Sequence, residues 1–116
     1  MKTELMLAFE AEMTAAWRLI DAGRLDGAMR HLERAHVLGQ NHVVPHVRSH
    51  WAMLCIAFKR HSLAESLGQA IRIILGALGS AVGVVPTGNT GGTNISMFAR
   101  LPIDHDLAAI IKWDQR

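Results

Sequence analysis

HLERAHVLGQNHVVPHVRSH, residues 31–50, decides how this chain folds, and it holds five of the chain's seven histidines. If residues 25–38 are helical, Leu25, Ala28, Met29, Leu32 and Ala35 recur at the three-to-four spacing of a buried stripe. His36 follows Leu32 by four residues and lies inside that stripe, whereas His31 points away from it. Glu33, three residues before His36, sits at the stripe's edge, within reach of the imidazole. Pro45 suits the first turn of a following helix, where its missing N–H costs nothing. On that helix His46, His50, Leu54, Ala57 and His61 recur at intervals of three or four, so His46 and His50 project together, roughly 5–6 Å apart at Cβ. His42 falls in the connection. Two helices joined by so short a link pack antiparallel, which predicts that Glu33, His36, His46 and His50 share one volume near the turn.

Working outward, residues 3–21 read as a first helix with Leu5, Phe9, Met13, Ala16 and Ile20 inward, Trp17 flanking, and Thr3 as N-cap. Glu10 and Glu12 read as solvated, Glu12 being the nearer to the apolar edge and an outside candidate ligand. Gly23 suits the left-handed position that ends a helix. A fourth helix is predicted over 63–78 behind a Ser62 N-cap, with Leu67, Ala70, Ile71, Ile74, Leu75 and Leu78 inward. Gly68, Gly76, Gly79 and Gly83 each cost about 1 kcal/mol of helix propensity relative to Ala, which predicts close approach by a neighbour. PTGNTGGTN, residues 86–94, is a loop of turn formers. Its Gly88, Asn89, Thr90, Gly91 and Gly92 form a weak candidate for an anion cradle, since such a loop aims backbone N–H groups at one point. It matches neither the Walker A nor the dinucleotide pattern. Met97, Phe98, Leu101 and Ile103 then read as an apolar clamp. Asp104 caps a short last helix that docks Leu107, Ile110 and Ile111 and places Trp113 near its end; His105 reads as surface.

The expected fold is therefore all-α: a compact bundle of four to five helices, with a Gly-rich loop before a short C-terminal helix. One domain is expected over 1–116, with 1–84 as the bundle and 85–116 as the loop and clamp. Half the residues are hydrophobic and the formal charge is +2. That charge, on scattered arginines, argues against nucleic acid as a partner. Arg34 and Arg48 read as solvated. The single cysteine, Cys55, excludes an intramolecular disulfide and reads as packing in a reducing compartment. Glutamates interrupt the apolar start and the run 70–85 is too short and broken to span a bilayer, so a cytoplasmic chain without membrane attachment is expected.

The segment AWRLIDAGRLDGAMRHLERAHVL resembles a tetratricopeptide-type helical hairpin, with Gly23 at the turn, Ala28 where the helices touch, and Leu32 and Ala35 at later packing positions. Residues 46–75 echo that layout more faintly. LERAHVLGQ (32–40), HVRSHWAML (46–54), GQAIRI (68–73) and VPTGNTGG (85–92) resemble a bacterial domain-of-unknown-function family, number 3703. The resemblance implies a free-standing bacterial domain, and gene neighbourhoods associated with that family imply a link to heavy-metal handling.

Three functional readings follow. The first is metal binding by His36, His46 and His50, with Glu33 or His42 completing the shell. Imidazole-rich sites favour zinc, then copper or nickel, over magnesium or calcium. A di-iron site is disfavoured, because the Glu-x-x-His spacing occurs once and the extra glutamates lie on the wrong faces. The second reading keeps the histidines structural and makes the helical hairpin an interaction module for a peptide, a protein or a second copy of the chain. The third is an enzyme with a histidine base beside an anion-binding loop. It is the least favoured, since no Ser or Cys nucleophile pattern accompanies the histidines.

Overall fold

A computed structural model describes residues 1–116 as five α-helices with no strand. α1 (Thr3–Asp21) buries Leu5, Phe9, Met13, Ala16 and Ile20, the stripe its periodicity predicts. Gly23 closes it at φ +75°, a conformation that costs glycine little, and the N–H groups of Gly23 and Arg24 return to Ile20 and Leu19. α2 (Leu25–Gly39) buries Ala28, Leu32 and Ala35 against α1, and the two helices pair closely. α3 (Val43–Lys59) begins two residues earlier than Pro45, which falls inside its first turn, where no N–H is needed. α4 (Leu63–Val82) runs a turn past the predicted end and stops at Gly83, φ +77°; the Ser62 hydroxyl caps its start by accepting from Glu65 N–H. α5 (His105–Asp114) docks Leu107 on α1 and α2.

One hydrophobic cluster joins α1, α2, α3 and α5, with Phe9, Leu32, Leu38, Met53 and Ile56 at its centre. α4 contributes no side chain to it. Most of the predicted inner face of α4 is its outer face: Leu67, Ile71, Ile74, Leu75 and Leu78 are between 44% and 64% exposed, with Ala70 half-buried, and Leu63 and Val82, each 74% exposed, continue the same side. What α4 turns inward is Ser66, Gln69 and Ser80. Among the helices it packs only on α3. Periodicity measures how apolar residues recur, not which side of a helix meets its neighbour. A stripe of serine, glutamine and glycine wins the interior here because buried polar partners await it. No helix is long and apolar enough to cross a membrane.

Several side chains differ from their sequence reading for electrostatic reasons. Arg34 is not solvated: its guanidinium bridges Glu12, Asp104 and Asp106, tying α2 to both α1 and the start of α5. Asp104 does precede α5, yet its carboxylate takes Arg34 in place of a capping hydrogen bond. Arg48 pairs with Glu10 and lies 5.1 Å over the Phe9 ring. Thr3 is the first residue of α1 and not its cap; Lys2 holds that position, and its backbone N–H reaches Asp114 at 2.5 Å. Phe98, expected in the clamp, is exposed, whereas Ile103 packs on the core. Cys55 is half-buried and burial raises its thiol pKa, in keeping with a packing role.

Leu32 and Leu67 look alike in sequence, and the structure separates them. Leu32→Ala is expected to lower the unfolding free energy by about 2–5 kcal/mol, the range for a fully buried leucine. Leu67→Ser, on the outer face of α4, should leave the monomer's stability within about 0.5 kcal/mol. Urea unfolding of the two variants checks the contrast.

Candidate metal centre

His36 reaches the interior from the last turns of α2, and His46 and His50 come from successive turns of α3. All three rings are nearly inaccessible, at 2%, 4% and 3% exposure. Their Nε2 atoms converge: His36 Nε2 lies 3.0 Å from that of His46 and 3.0 Å from that of His50. The ligand atoms of the three lie within 4.8 Å of one another. Three nitrogens around a tetrahedral zinc at 2.0–2.1 Å would stand ~3.3 Å apart, close to the two 3.0 Å separations from His36, while a set spanning 4.8 Å would have to draw together at its widest pair.

The other ring nitrogens decide what those three atoms are. His36 Nδ1 donates to the Asn89 carbonyl at 2.7 Å. His50 Nδ1 faces Gln69 Oε1 at 2.7 Å, and that amide is oriented because its Nε2 donates to the Gly91 carbonyl. His46 Nδ1 meets Ser80 Oγ at 2.5 Å, and the Ser80 hydroxyl spends its proton on the Gln40 carbonyl. Each Nδ1 therefore carries the hydrogen, and each Nε2 presents a bare lone pair. A purely hydrogen-bonded cluster requires at least one Nε2–H between the rings. Placing it there would set an unprotonated Nδ1 against an oxygen lone pair. Three lone pairs aimed at one point, each ring held by an oxygen behind it, is the arrangement that orients imidazoles toward a metal.

A proton does not fill the gap at neutral pH. Burial pushes the His36 pKa well below the ordinary 6.5, with the charges of His50 and His46 adding to the effect. Burial lowers His46 to about 4, partly offset by the Gly76 carbonyl. His50 is likewise lowered by burial to about 4, against the hydrogen bond its Nδ1–H donates to Gln69 Oε1.

Glycines make room for the rings. A Cβ on Gly76 of α4 would stand 2.9 Å from the His46 ring, and one on Gly91 would stand 2.6 Å from His36. The 85–100 loop forms the other wall, where Asn89 is buried and its amide donates to the Ser96 and Ala99 carbonyls. Gln40 fastens the same loop, donating to the Pro86 carbonyl and accepting from Gly88 N–H.

The remaining predicted ligands lie elsewhere. Glu33 is rotated ~60° around α2 from His36 and a turn away; it borders separate cavities alongside Arg30, and burial raises its pKa. His42 precedes α3 and turns to Asp114, 3.7 Å away. Glu12 is committed to His31 and Arg34. His61 follows α3 at φ +53° and is exposed, as is His105. In the glycine-rich loop, Gly88 N–H goes to Gln40, Asn89 N–H to Pro86 and Gly91 N–H to Asn89 Oδ1. Three of the five N–H groups assigned to an anion cradle from sequence are thus spent on the chain itself, and the segment is a scaffold for His36. Sequence reasoning gave no site role to Gln40, Gln69 or Ser80, whose partners lie 19 to 48 residues away, whereas Gly76 was expected to meet a close neighbour and meets the His46 ring. The one available signal was a polar row, Ser66, Gln69 and Ser80, along an otherwise oily helix.

The chain belongs to the DUF3703 family of proteins of unknown function, which it matches over residues 3–111. No curated protein and no solved structure matches it.

The depressed imidazole pKa values set a pH window. Between pH 6.5 and about 4, an unfolded chain binds protons that the folded, metal-free chain refuses, so stability must fall as pH is lowered through that window. Above pH 6.5 the three rings are neutral in both states and contribute no slope. Urea unfolding at pH 7 and pH 4.5 should differ by about 2–3 kcal/mol for each of His46 and His50. Equal stabilities at the two pH values would contradict the buried neutral state.

Proposed function

We propose that this DUF3703 chain binds one divalent transition metal through the Nε2 atoms of His36, His46 and His50. Zinc is the first candidate and copper or nickel the next, since three neutral imidazoles are borderline donors that disfavour magnesium and calcium. The observation that carries this reading is geometric: each Nδ1 lies 2.5–2.7 Å from an oxygen while the Nε2 atoms of His46 and His50 each stand 3.0 Å from that of His36, so with the hydrogens on Nδ1 the lone pairs face inward. Three protein donors leave a fourth position open, the donor number of sites that exchange a ligand and not of closed structural ones. Handling of heavy-metal ions in the cell is the physiological role that accords with such a site.

Elemental analysis of protein purified without an affinity tag should find one metal per chain. A His46→Ala/His50→Ala variant should hold none. Gln69→Ala and Ser80→Ala keep all three ligands and remove only an oxygen behind a ring; each should weaken zinc binding about 10–100-fold. Metal-free wild-type protein whose melting temperature is unmoved by zinc, copper and nickel would overturn the assignment.

A second reading, as an interaction module, has its own observation. The outer face of α4 runs Leu63, Leu67, Ile71, Ile74, Leu78 and Val82 without a charged residue, an apolar area on the order of 800 Å². That exceeds the largest patch on most monomers and equals what each partner brings to a standard interface. A face without charge is complementary to itself. A second copy of the chain is therefore the occupant proposed. Light scattering should give twice the 12.7 kDa chain mass. Leu67→Glu/Leu78→Glu should be monomeric with its metal content unchanged; a monomeric wild type would remove this reading.

A further inference from the structure

Beside the three imidazoles lies a cavity of about 280 Å³. Its walls include Leu75, Val84, Pro86, Met97 and Phe98, and the exposure of Val84, Phe98 and Arg100 opens it to solvent at that rim. The polar side chains lining it are the three histidines, Asn89, Arg72 and Arg100; no aspartate or glutamate is among them.

Arg72 is the unusual member. Its Nη1 and Nη2 donate to the Gly68 and Ile95 carbonyls, both at 3.1 Å, which neutralises no charge. Its Nε is buried and has no partner, the one buried side-chain nitrogen or oxygen in the chain without one. The ion-paired arginines are Arg34, Arg48 and Arg60, so neither Arg72 nor Arg100 has a carboxylate counter-ion. Burial lowers the Arg72 pKa, and its charge bears on His36 and His50. A half-buried guanidinium with an idle, buried N–H and no carboxylate beside it is the one arginine of its exposure class without a charge partner. With a divalent ion on the histidines the same cavity would hold two further positive charges, and still no negative one.

We propose that this cavity binds a small oxyanion, one oxygen of which takes the fourth position on the metal while another accepts a hydrogen bond from Arg72. The proposal rests on the metal reading above. A guanidinium beside a metal matches carboxylate and phosphate geometry, because its N–H groups address a second oxygen while the metal holds the first. The apolar side chains on its walls lower the local dielectric and strengthen both interactions. The cavity's size admits a carboxylate or a tetrahedral oxyanion with a short substituent, and not a nucleotide.

Cobalt(II) substituted for zinc reports its own coordination in the visible spectrum. Titrating the cobalt-loaded wild type with acetate and, separately, inorganic phosphate should change that spectrum saturably, and the tighter of the two gives the ligand's class. Arg72→Met should weaken that anion about tenfold or more while cobalt affinity stays within about twofold. Arg72→Lys keeps the charge but lacks the guanidinium's forked N–H groups, so it should recover only part of the affinity. It also serves should the methionine variant fail to fold. An anion response of equal affinity in both variants would overturn the role of Arg72. A cobalt spectrum indifferent to both anions would overturn the oxyanion site and leave the metal assignment standing. Absence of any cobalt spectrum would remove both.

Discussion

Three oxygens behind three imidazoles are the constraint on which the site depends. The Asn89 carbonyl, Gln69 Oε1 and the Ser80 hydroxyl each accept one Nδ1–H, which leaves three Nε2 lone pairs on a common point. Lone pairs do not gather in a dry interior without something positive to face, and neutral histidines at physiological pH bring nothing positive of their own. The polar groups that hold them come from three parts of the chain. Gln69 and Ser80 belong to α4, Asn89 to the loop after it, and Gln40, which holds both Ser80 and that loop, to the end of α2.

This explains why α4 is built inside out. The hydrophobic cluster is complete without it, since α1, α2, α3 and α5 bury their leucines and phenylalanine among themselves. α4 is free to serve the histidines, and it does so with Gln69, Gly76 and Ser80. The aliphatic residues that might have formed a core are left on its far side. Gly76 brings the His46 ring against the α4 backbone, an approach that alanine would block. The same inversion joins two properties of the molecule. A helix that gives its inner face to a polar site has only its outer face for oily residues, which is where α4 carries them.

The charge balance extends the argument to the cavity. Elsewhere the chain pairs its buried or half-buried arginines with carboxylates, as Arg34 does with Glu12, Asp104 and Asp106. Around the histidines it supplies cations and no acid. The half-buried arginines Arg34, Arg48 and Arg60 each have a carboxylate, whereas Arg72 has none, and this contrast is what the oxyanion proposal rests on.

How much of this was legible beforehand follows from which forces are local. The α1 and α2 stripes, the turn at Gly23 and the shared inward phase of His36, His46 and His50 follow from helical period and backbone sterics, and the sequence by itself determined them. Helical phase put Glu33 near His36 too, but a ~60° rotation directs it into another cavity, and only the packing of neighbouring elements reveals that. Asn89 and its glycines were readable as a tight loop, not as the wall that orients His36, because the bond between them spans 53 residues. The face of α4 was misread for the same reason. Its composition fixes that it is amphipathic, while the side that is buried depends on what stands opposite. Tertiary structure decided that, by setting three histidines in need of oxygen acceptors where a hydrophobic neighbour would otherwise have been.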